Sequence, residues 1–374
     1  MQDPRQLRAE IPHYEVVRDL VDSSIDILLN LRQSGHPGGS RSKVPLTVAL
    51  TLSGAMRFDH RDPARRFNDR FVLVAGHCTP LLYSTLAVLA EALEEKHRRT
   101  KDARYAVRGG DDRRVRFSDL LNFRRRGGLP GHAEMEGKTL FVKANTGPSG
   151  HGSPPAAGQA VALRMAGASE VKVFAMEGDG GLTTGASHET KNSAWGLGLG
   201  NLVYLVDWND FGIDDPPVSS VVSGDPESWF RPYGWRVAGA PDGESFEQIL
   251  SALHAIVGAE DPATPGMVWV KTRKGRGYGK FDNHSHGSPH KSNSKEFWAT
   301  RAPFQERYRV KFEGFGEGPP ADAAALRKQT EAHFEVLRHV LVSTPGLVDF
   351  MADRLAAIGD AVPNDIAGCR VEGD

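Results

Sequence analysis

The sequence predicts an α/β fold, a doubly wound parallel sheet with helices on both faces, and three observations carry that prediction. Four short apolar runs, at 71–75, 171–176, 202–206 and 267–270, are bounded by Gly, Asp or Pro, the pattern of strands buried on both faces. Segments with apolar residues at helical spacing lie between them, at 155–166, 184–195 and 244–258, and such alternation builds a doubly wound sheet. Glycine supplies 41 of the 374 residues, and the excess falls in clusters between the apolar runs, as ligand-binding turns require.

Taken in order, residues 14–31 (YEVVRDLVDSSIDILLNL) predict a helix that runs into the loop 33–40 (QSGHPGGS). A second helix is expected over 44–56, then the strand 71–75 ending at Gly76-His77, then a helix over 80–95. Between residues 96 and 126 twelve Lys/Arg face four Asp/Glu; the part up to Arg114 is expected to be a solvated basic insertion. Residues 117–124 regain apolar content and lead into Gly127-Gly128-Leu129-Pro130-Gly131-His132. Residues 281–294 are polar and histidine-rich, and beyond 300 the pattern is purely helical after a break at 314–320. The chain thus divides into an α/β domain over 1–300 and a helical, linker-like extension over 301–374.

Composition narrows the function. Lys+Arg total 46 and Asp+Glu 47, a net charge of -1, which argues against a nucleic-acid binder held by bulk charge. The two cysteines, Cys78 and Cys369, exclude a disulfide framework or a CxxC zinc site. The amino terminus has no apolar core of signal-peptide length, and no stretch approaches the ~18 apolar residues of a membrane span, so a cytoplasmic protein is expected.

The most informative stretch runs from the strand 171–176 through Glu177-Gly178-Asp179-Gly180-Gly181 and a helix to the strand 202–206 and Asp207-Trp208-Asn209. In an open α/β sheet, ligands sit at the carboxyl ends of the strands. Gly178 and Gly180 let the backbone turn and approach a ligand, and the Gly180 amide, near a helix start, is a natural diphosphate donor. Asp179 offers a hard carboxylate oxygen and Asn209 an amide oxygen, side by side on adjacent strands; Mg²⁺ takes one or two such protein ligands. Gly-Asp-Gly alone is an ordinary turn, but the Gly-Asp-Gly, helix, strand, Asn order is far more specific.

Gly-Asp-Gly followed after about thirty residues by Asn resembles the thiamine-diphosphate (ThDP) binding motif, and the surroundings resemble the amino-terminal domain of transketolase from about Arg18 to Pro289. The resemblance rests on Ser34–Gly39 (SGHPGG), Asp69–Leu73 with Gly76-His77 and Leu82-Tyr83-Ser84, Asn122-Phe123-Arg124 with Leu129–Glu134 (LPGHAE), Thr146–Gly152 (TGPSGHG), Lys271-Thr272 and His286–Pro289 (HGSP). It implies the ThDP-binding fold. It implies Asp179, Asn209 and the Phe211 carbonyl as ligands of Mg²⁺, or of Ca²⁺ in its place. It further implies Gly180, Asn209, His77, the Gly147-Pro148-Ser149 loop and His286 on the diphosphate or thiazolium, and Ile213 packed on the cofactor. His36, His132 and His286 would line the substrate channel, where histidine can donate to hydroxyls and carry protons near neutral pH. Glu189 would sit in a carboxylate network between subunits.

The chain departs from the family pattern at Ser149, where a leucine is usual, at His151, where a glutamine is usual, and at Thr184, where a second acidic residue of that network is usual. His188-Glu189-Thr190-Lys191-Asn192 lacks the second histidine of a zinc HExxH site, and the Gly-Lys-Thr at 137–139 has neither the spacing nor the preceding strand of a P-loop.

In the resembled family the glutamate that activates the cofactor lies on a second, pyrimidine-binding domain of another chain. The expectation is therefore the amino-terminal subunit of a split transketolase. It would transfer a two-carbon ketol group between sugar phosphates in a heterotetramer with a separate subunit that carries that domain. Alternatives are another ThDP enzyme component (1-deoxyxylulose-phosphate synthase, phosphoketolase or 2-oxo acid dehydrogenase type) or a non-catalytic, ThDP-binding regulatory subunit.

Overall fold

The structure, a computed structural model, describes residues 8–259 and 261–370. Five strands, β1 (Arg70–Leu73), β2 (Val173–Gly178), β3 (Leu202–Trp208), β4 (Arg236–Ala240) and β5 (Gly266–Lys271), form one sheet in the order β1-β2-β3-β5-β4, with every pairing parallel. Alternate residues feed two cores. Phe71, Phe174, Met176, Val203, Leu205, Val268 and Val270 face one, and Val72, Val173, Ala175, Tyr204, Val206 and Met267 the other. Burial on both faces is why these strands read as unbroken apolar runs rather than as alternation.

On the first face lie α1 (Ile11–Arg32), α2 (Pro37–Ser42), α3 (Val44–Leu52), α4 (Thr79–Thr100) and, later in the chain, a helix at Phe246–Val257. The helix expected over 44–56 is α3 but ends early at Leu52, and the expected loop 33–40 is partly helical, α2 starting at Pro37. On the second face, Ala156 and Ala160 of α5 (Ser153–Met165) and Ala194 of α7 (Gly185–Gly196) pack against the strands; the four-residue α6 (Asp179–Leu182) precedes α7. The helix at Phe246–Val257 is α8.

Strand β4 has no counterpart among the expected strands. It is an edge strand, half-exposed over most of its length, and its RVAGA sequence lacks an apolar run. Its small residues serve the neighbour: a Cβ on Gly239 would lie 2.0 Å from the Trp269 ring, so the ring packs where a side chain would be.

The solvated insertion expected from Lys96 begins later and is pinned down. Helix α4 continues to Thr100, where Lys101 adopts the left-handed conformation and donates to the His97 carbonyl. Local acids answer the basic excess. Glu95 pairs with Arg98 and Arg99, Lys96 reaches Asp349 at 2.8 Å, Arg108 reaches Asp62 at 2.9 Å, and Tyr105 is buried. Sequence-local counting of charge could not show Asp349, which arrives on a distant helix.

The helices beyond 300 share the first core. Helices α9 (Lys295–Tyr308), α10 (Ala323–Ser343) and α11 (Leu347–Asp360) contribute Phe304, Phe334, Leu337, Met351 and Leu355 to the cluster built on α1 and α4. Arg301 of α9 and Arg41 of α2 both bond the buried Asp26 carboxylate of α1, Arg41 at 2.7 Å. Among the described residues no helix is long and apolar enough to cross a membrane.

Candidate functional site

The carboxyl ends of β2 and β3 are in register, Gly178 opposite Asp207, so the residues that follow them emerge together. Asp179, buried to 1% exposure, accepts from the Gly180 amide at 2.9 Å through Oδ1 and from the Asp210 amide at 2.5 Å through Oδ2. Asp210 holds a left-handed backbone (φ 69°) that turns its amide back, and Ser219 ties its carboxylate through amide and hydroxyl, each at 2.8 Å. Asn209 donates Nδ2 to Asp207 at 2.7 Å and accepts the Phe211 amide at 3.0 Å.

Asp179, Asn209 and Phe211 line a cleft of about 280 Å³ together with Lys43, His77, Ser149, Gly180, Ile213, Lys274 and His286. Three imidazoles stand in a triangle at its edge: His36 to His77 5.0 Å, His36 to His286 5.2 Å and His77 to His286 5.1 Å between ring centroids. Burial, and then neighbouring cations and imidazoles, push His36 and His77 down to about 4 and His286 to about 3, so all three are neutral at pH 7. The Nδ1 of His36 is shielded and meets no partner among the described residues.

Glycines bring these segments into contact. A Cβ on Gly38 would sit 2.1 Å from Ser285 Oγ, and one on Gly76 would sit 3.0 Å from the Gly147 amide nitrogen. The His36 loop therefore lies against the His286 segment, and the end of β1 lies under the Gly147–Ser149 loop. Ile213 is 66% exposed. His132 is exposed and outside the cleft lining, although its charge bears on His36. Pro148 is exposed beside Ser149. Glu189 is exposed on α7 and does not line the cleft; Thr184 precedes that helix at its N-cap position and donates to the Gly181 carbonyl at 3.1 Å.

Sequence reasoning missed three charged residues of the cleft. Lys43 is buried and bonds Asp207 at 2.9 Å, while Ser42 donates to the same carboxylate at 2.5 Å. Burial alone would raise Asp207, but Lys43 and the hydroxyl donors outweigh it and hold the carboxyl below the usual range. Glu177 accepts from the Gly150 amide and from its own neighbour Gly178, each at 2.8 Å, and so locks the TGPSGHG loop onto β2. Lys274 donates to the Phe211 carbonyl and to His286 Nδ1, both at 3.0 Å, and to the Gly212 carbonyl. A lysine between Lys271-Thr272 and the HGSP histidine was the available signal for Lys274. Arg276 holds that segment on α1 through Asp22 at 2.8 Å.

The donor set suits a hard divalent cation. Asp179 is a buried carboxylate with no ion-pair partner among the described residues, and burial together with the Asp207 charge raises it to about 7. A cation beside it would supply the missing counter-charge, with the Asn209 amide oxygen and the Phe211 carbonyl as further oxygen donors. The ammonium of Lys274 also donates to the Phe211 carbonyl.

Comparison with known proteins adds the family. Residues 15–98 and 105–313 match the model of the transketolase thiamine diphosphate binding domain; residues 99–104, within the basic insertion, fall outside it. A transketolase of Streptococcus pyogenes is 34% identical over 268 residues, covering 68% of this chain and 33% of that protein. One of Geobacillus stearothermophilus is 34% identical over 281 residues, covering 71% and 37%, and transketolase 2 of Xanthobacter flavus is 28% identical over 385 residues, covering 90% and 52%. The alignments thus span a third to a half of these relatives. Transketolases of Leishmania mexicana (TM-score 0.65, 23% identity) and Campylobacter jejuni (0.63, 23%) share the fold over 93% and 89% of the chain and 48% and 49% of theirs. The chain belongs to the transketolase family, through its thiamine diphosphate binding domain.

Proposed function

We propose that these residues form the diphosphate- and metal-binding half of a ThDP-dependent ketol-transfer site. The reaction would be the Mg²⁺-dependent transfer of a two-carbon unit from a ketose phosphate to an aldose phosphate. The observation that carries the proposal is the juxtaposition at one cleft of Asp179 and Asn209, which follow adjacent parallel strands, with the neutral triad His36, His77 and His286.

Bound there, ThDP supplies the electron sink that lets a carbon–carbon bond beside a ketone break. The chain's own residues would do the rest. Asp179, Asn209 and the Phe211 carbonyl would hold Mg²⁺. The Gly180 amide, His77, the Gly147–Ser149 loop and the ammonium of Lys274 would hold the diphosphate, and Ile213 would cover the ring. Because Lys274 donates to Nδ1 of His286, that imidazole carries its proton on Nε2 and offers an N–H donor. His36 and His286, neutral at pH 7, would steady substrate hydroxyls and pass protons, with His132 at the outer edge.

In this proposal the activating carboxylic acid comes from a pyrimidine-binding domain on a separate subunit, in a heterotetramer where Glu189 faces the interface. The limited span of the aligned relatives supports a second half outside these residues. The test has two parts. Titration calorimetry with ThDP and Mg²⁺ should show binding by the chain and none by Asp179→Ala; equal binding by both would overturn the metal assignment. A tagged chain recovered from its native cells, assayed on xylulose 5-phosphate and ribose 5-phosphate, should transfer the ketol unit only with a copurifying pyrimidine-domain protein. Turnover by the pure chain would overturn the two-subunit reading.

A further inference from the structure

A second cleft, of about 460 Å³, opens at the other end of the sheet, beside Arg70 at the start of β1 and against the last turns of α5. That volume is in the range of pockets that hold small organic molecules, roughly 300–1,000 Å³. Among the described residues three cations line it, Arg66, Arg70 and Lys143, and no acidic residue does. Their hydrogen-bond and ring partners among the described residues are neutral: Arg70 donates to the Arg66 carbonyl at 2.9 Å, Lys143 to the Pro63 carbonyl at 3.1 Å, and Arg66 lies 5.1 Å from the centroid of the Phe67 ring, while the buried Asp69 carboxylate acts on Arg70 from a distance. Burial, with Arg70 nearby, pushes Lys143 down to about 8, which is the signature of a cation lacking a counter-charge. Gln159 spends its Nε2 on the Lys143 carbonyl at 2.6 Å, while its Oε1 is shielded and meets no donor. The remaining wall is apolar, chiefly Phe67 and Leu163.

An electropositive, half-buried cleft with an apolar wall is complementary to a particular ligand chemistry. A dianionic group would satisfy the cations, and a compact apolar body would cover Phe67 and Leu163. We propose that this cleft is a binding site for a phosphate monoester carrying a compact apolar body, separate from the cofactor cleft at the opposite strand ends.

The experiment is calorimetric titration of the full chain with phenyl phosphate, inorganic phosphate and benzoate, with saturating Mg²⁺ and ThDP to occupy the cofactor cleft. The same titration in Asp179→Ala makes the result independent of the cofactor reading. Phenyl phosphate should bind at least tenfold more tightly than inorganic phosphate or benzoate. Arg70→Gln, Lys143→Met and Ala162→Phe, the last filling the cleft without touching a charge, should each weaken it tenfold or more. Should Arg70→Gln fail to fold by circular dichroism, the exposed Arg66→Gln takes its place. Unchanged affinity in the charge variants, or no binding at millimolar phenyl phosphate, would overturn the site. Equal affinity for inorganic phosphate would overturn the apolar part of the ligand, and tighter binding of benzoate would overturn the choice of a phosphate.

Discussion

Replacing Lys191 by methionine is expected to stabilise the protein by about 2 kcal/mol near pH 7. Lys191 lies on α7, the helix that follows the Gly-Asp-Gly turn, and its side chain is fully buried. Its Nζ meets no hydrogen-bond partner among the described residues and is faced by aromatic rings, 4.9 Å from the Phe230 centroid and 5.5 Å from that of Tyr233. Burial pushes the ammonium down from 10.5 to about 8. A fall of that size penalises the charged form by about 3 kcal/mol, of which the two rings return about 1–2 kcal/mol. Methionine fills a similar volume, keeps the ring contact through sulfur and carries no charge. The sign can be checked by pH. Below pH 8 the lysine is protonated in both states and the penalty is complete. Between pH 8 and 10.5 the folded protein sheds the proton while the unfolded chain keeps it, so the wild type gains stability and the difference between the two proteins shrinks. Urea unfolding followed by circular dichroism at pH 7, 9 and 10.5 reads this directly. A variant no more stable than the wild type at pH 7, or a difference that stays constant to pH 10.5, would refute the reasoning.

Three other outcomes are expected. Gly38→Ala places a methyl 2.1 Å from Ser285 Oγ and 2.8 Å from its carbonyl, so it should separate the His36 and His286 loops. It should cost about 1–3 kcal/mol of stability and weaken ThDP at least tenfold in a calorimetric titration. Glu177→Gln turns one of two acceptors into a donor aimed at an amide N–H, and should destabilise by about 1–3 kcal/mol in urea titrations while loosening the Gly147–Ser149 loop. His36, His60 and His77 titrate near 4 in the folded chain and His286 near 3, all below the ordinary 6.5. Their contribution is whole above pH 6.5 and lost as pH falls toward 4, so unfolding midpoints should drop steeply over that interval; His60→Phe, far from the cofactor cleft, should flatten part of the drop.

The strands that lie inside the sheet were legible in the sequence because burial on both faces leaves no polar alternation to confuse them. Strand β4 was not: unlike the other edge strand, β1, which is buried over Phe71–Leu73, four of its five residues are half-exposed, and its composition answers to Trp269 rather than to a propensity of its own. The convergence of Asp179, Asn209, His77 and His286 at one cleft, with His36 at its edge, was legible because local glycine geometry and short motifs mark these residues. Lys43, Glu177 and Lys274 were not, because each matters through a partner far away in the chain: Asp207, Gly150 and the Phe211 carbonyl. The same limit hid part of the anchoring of the basic insertion, where Asp349 of α11 reaches Lys96.

The buried carboxylate of Asp26 joins α1 to Arg41 of α2 and Arg301 of α9, and Asp22 beside it takes Arg276 from the Lys274 segment. For anyone wishing to cut out a minimal cofactor-binding fragment, this makes the histidine-rich segment a poor place to stop. A truncation after residue 300 would strip Arg301 from Asp26, bare the apolar face that Phe334, Leu337, Met351 and Leu355 cover, and slacken the strut on which the His36 loop rests. The smallest portable module is therefore the α/β sheet together with α9, α10, α11 and the segment that follows, where Val362 and Ile366 pack against Phe67 and Ala168 and Cys369 lines the second cleft, and fusions or tags belong beyond that segment.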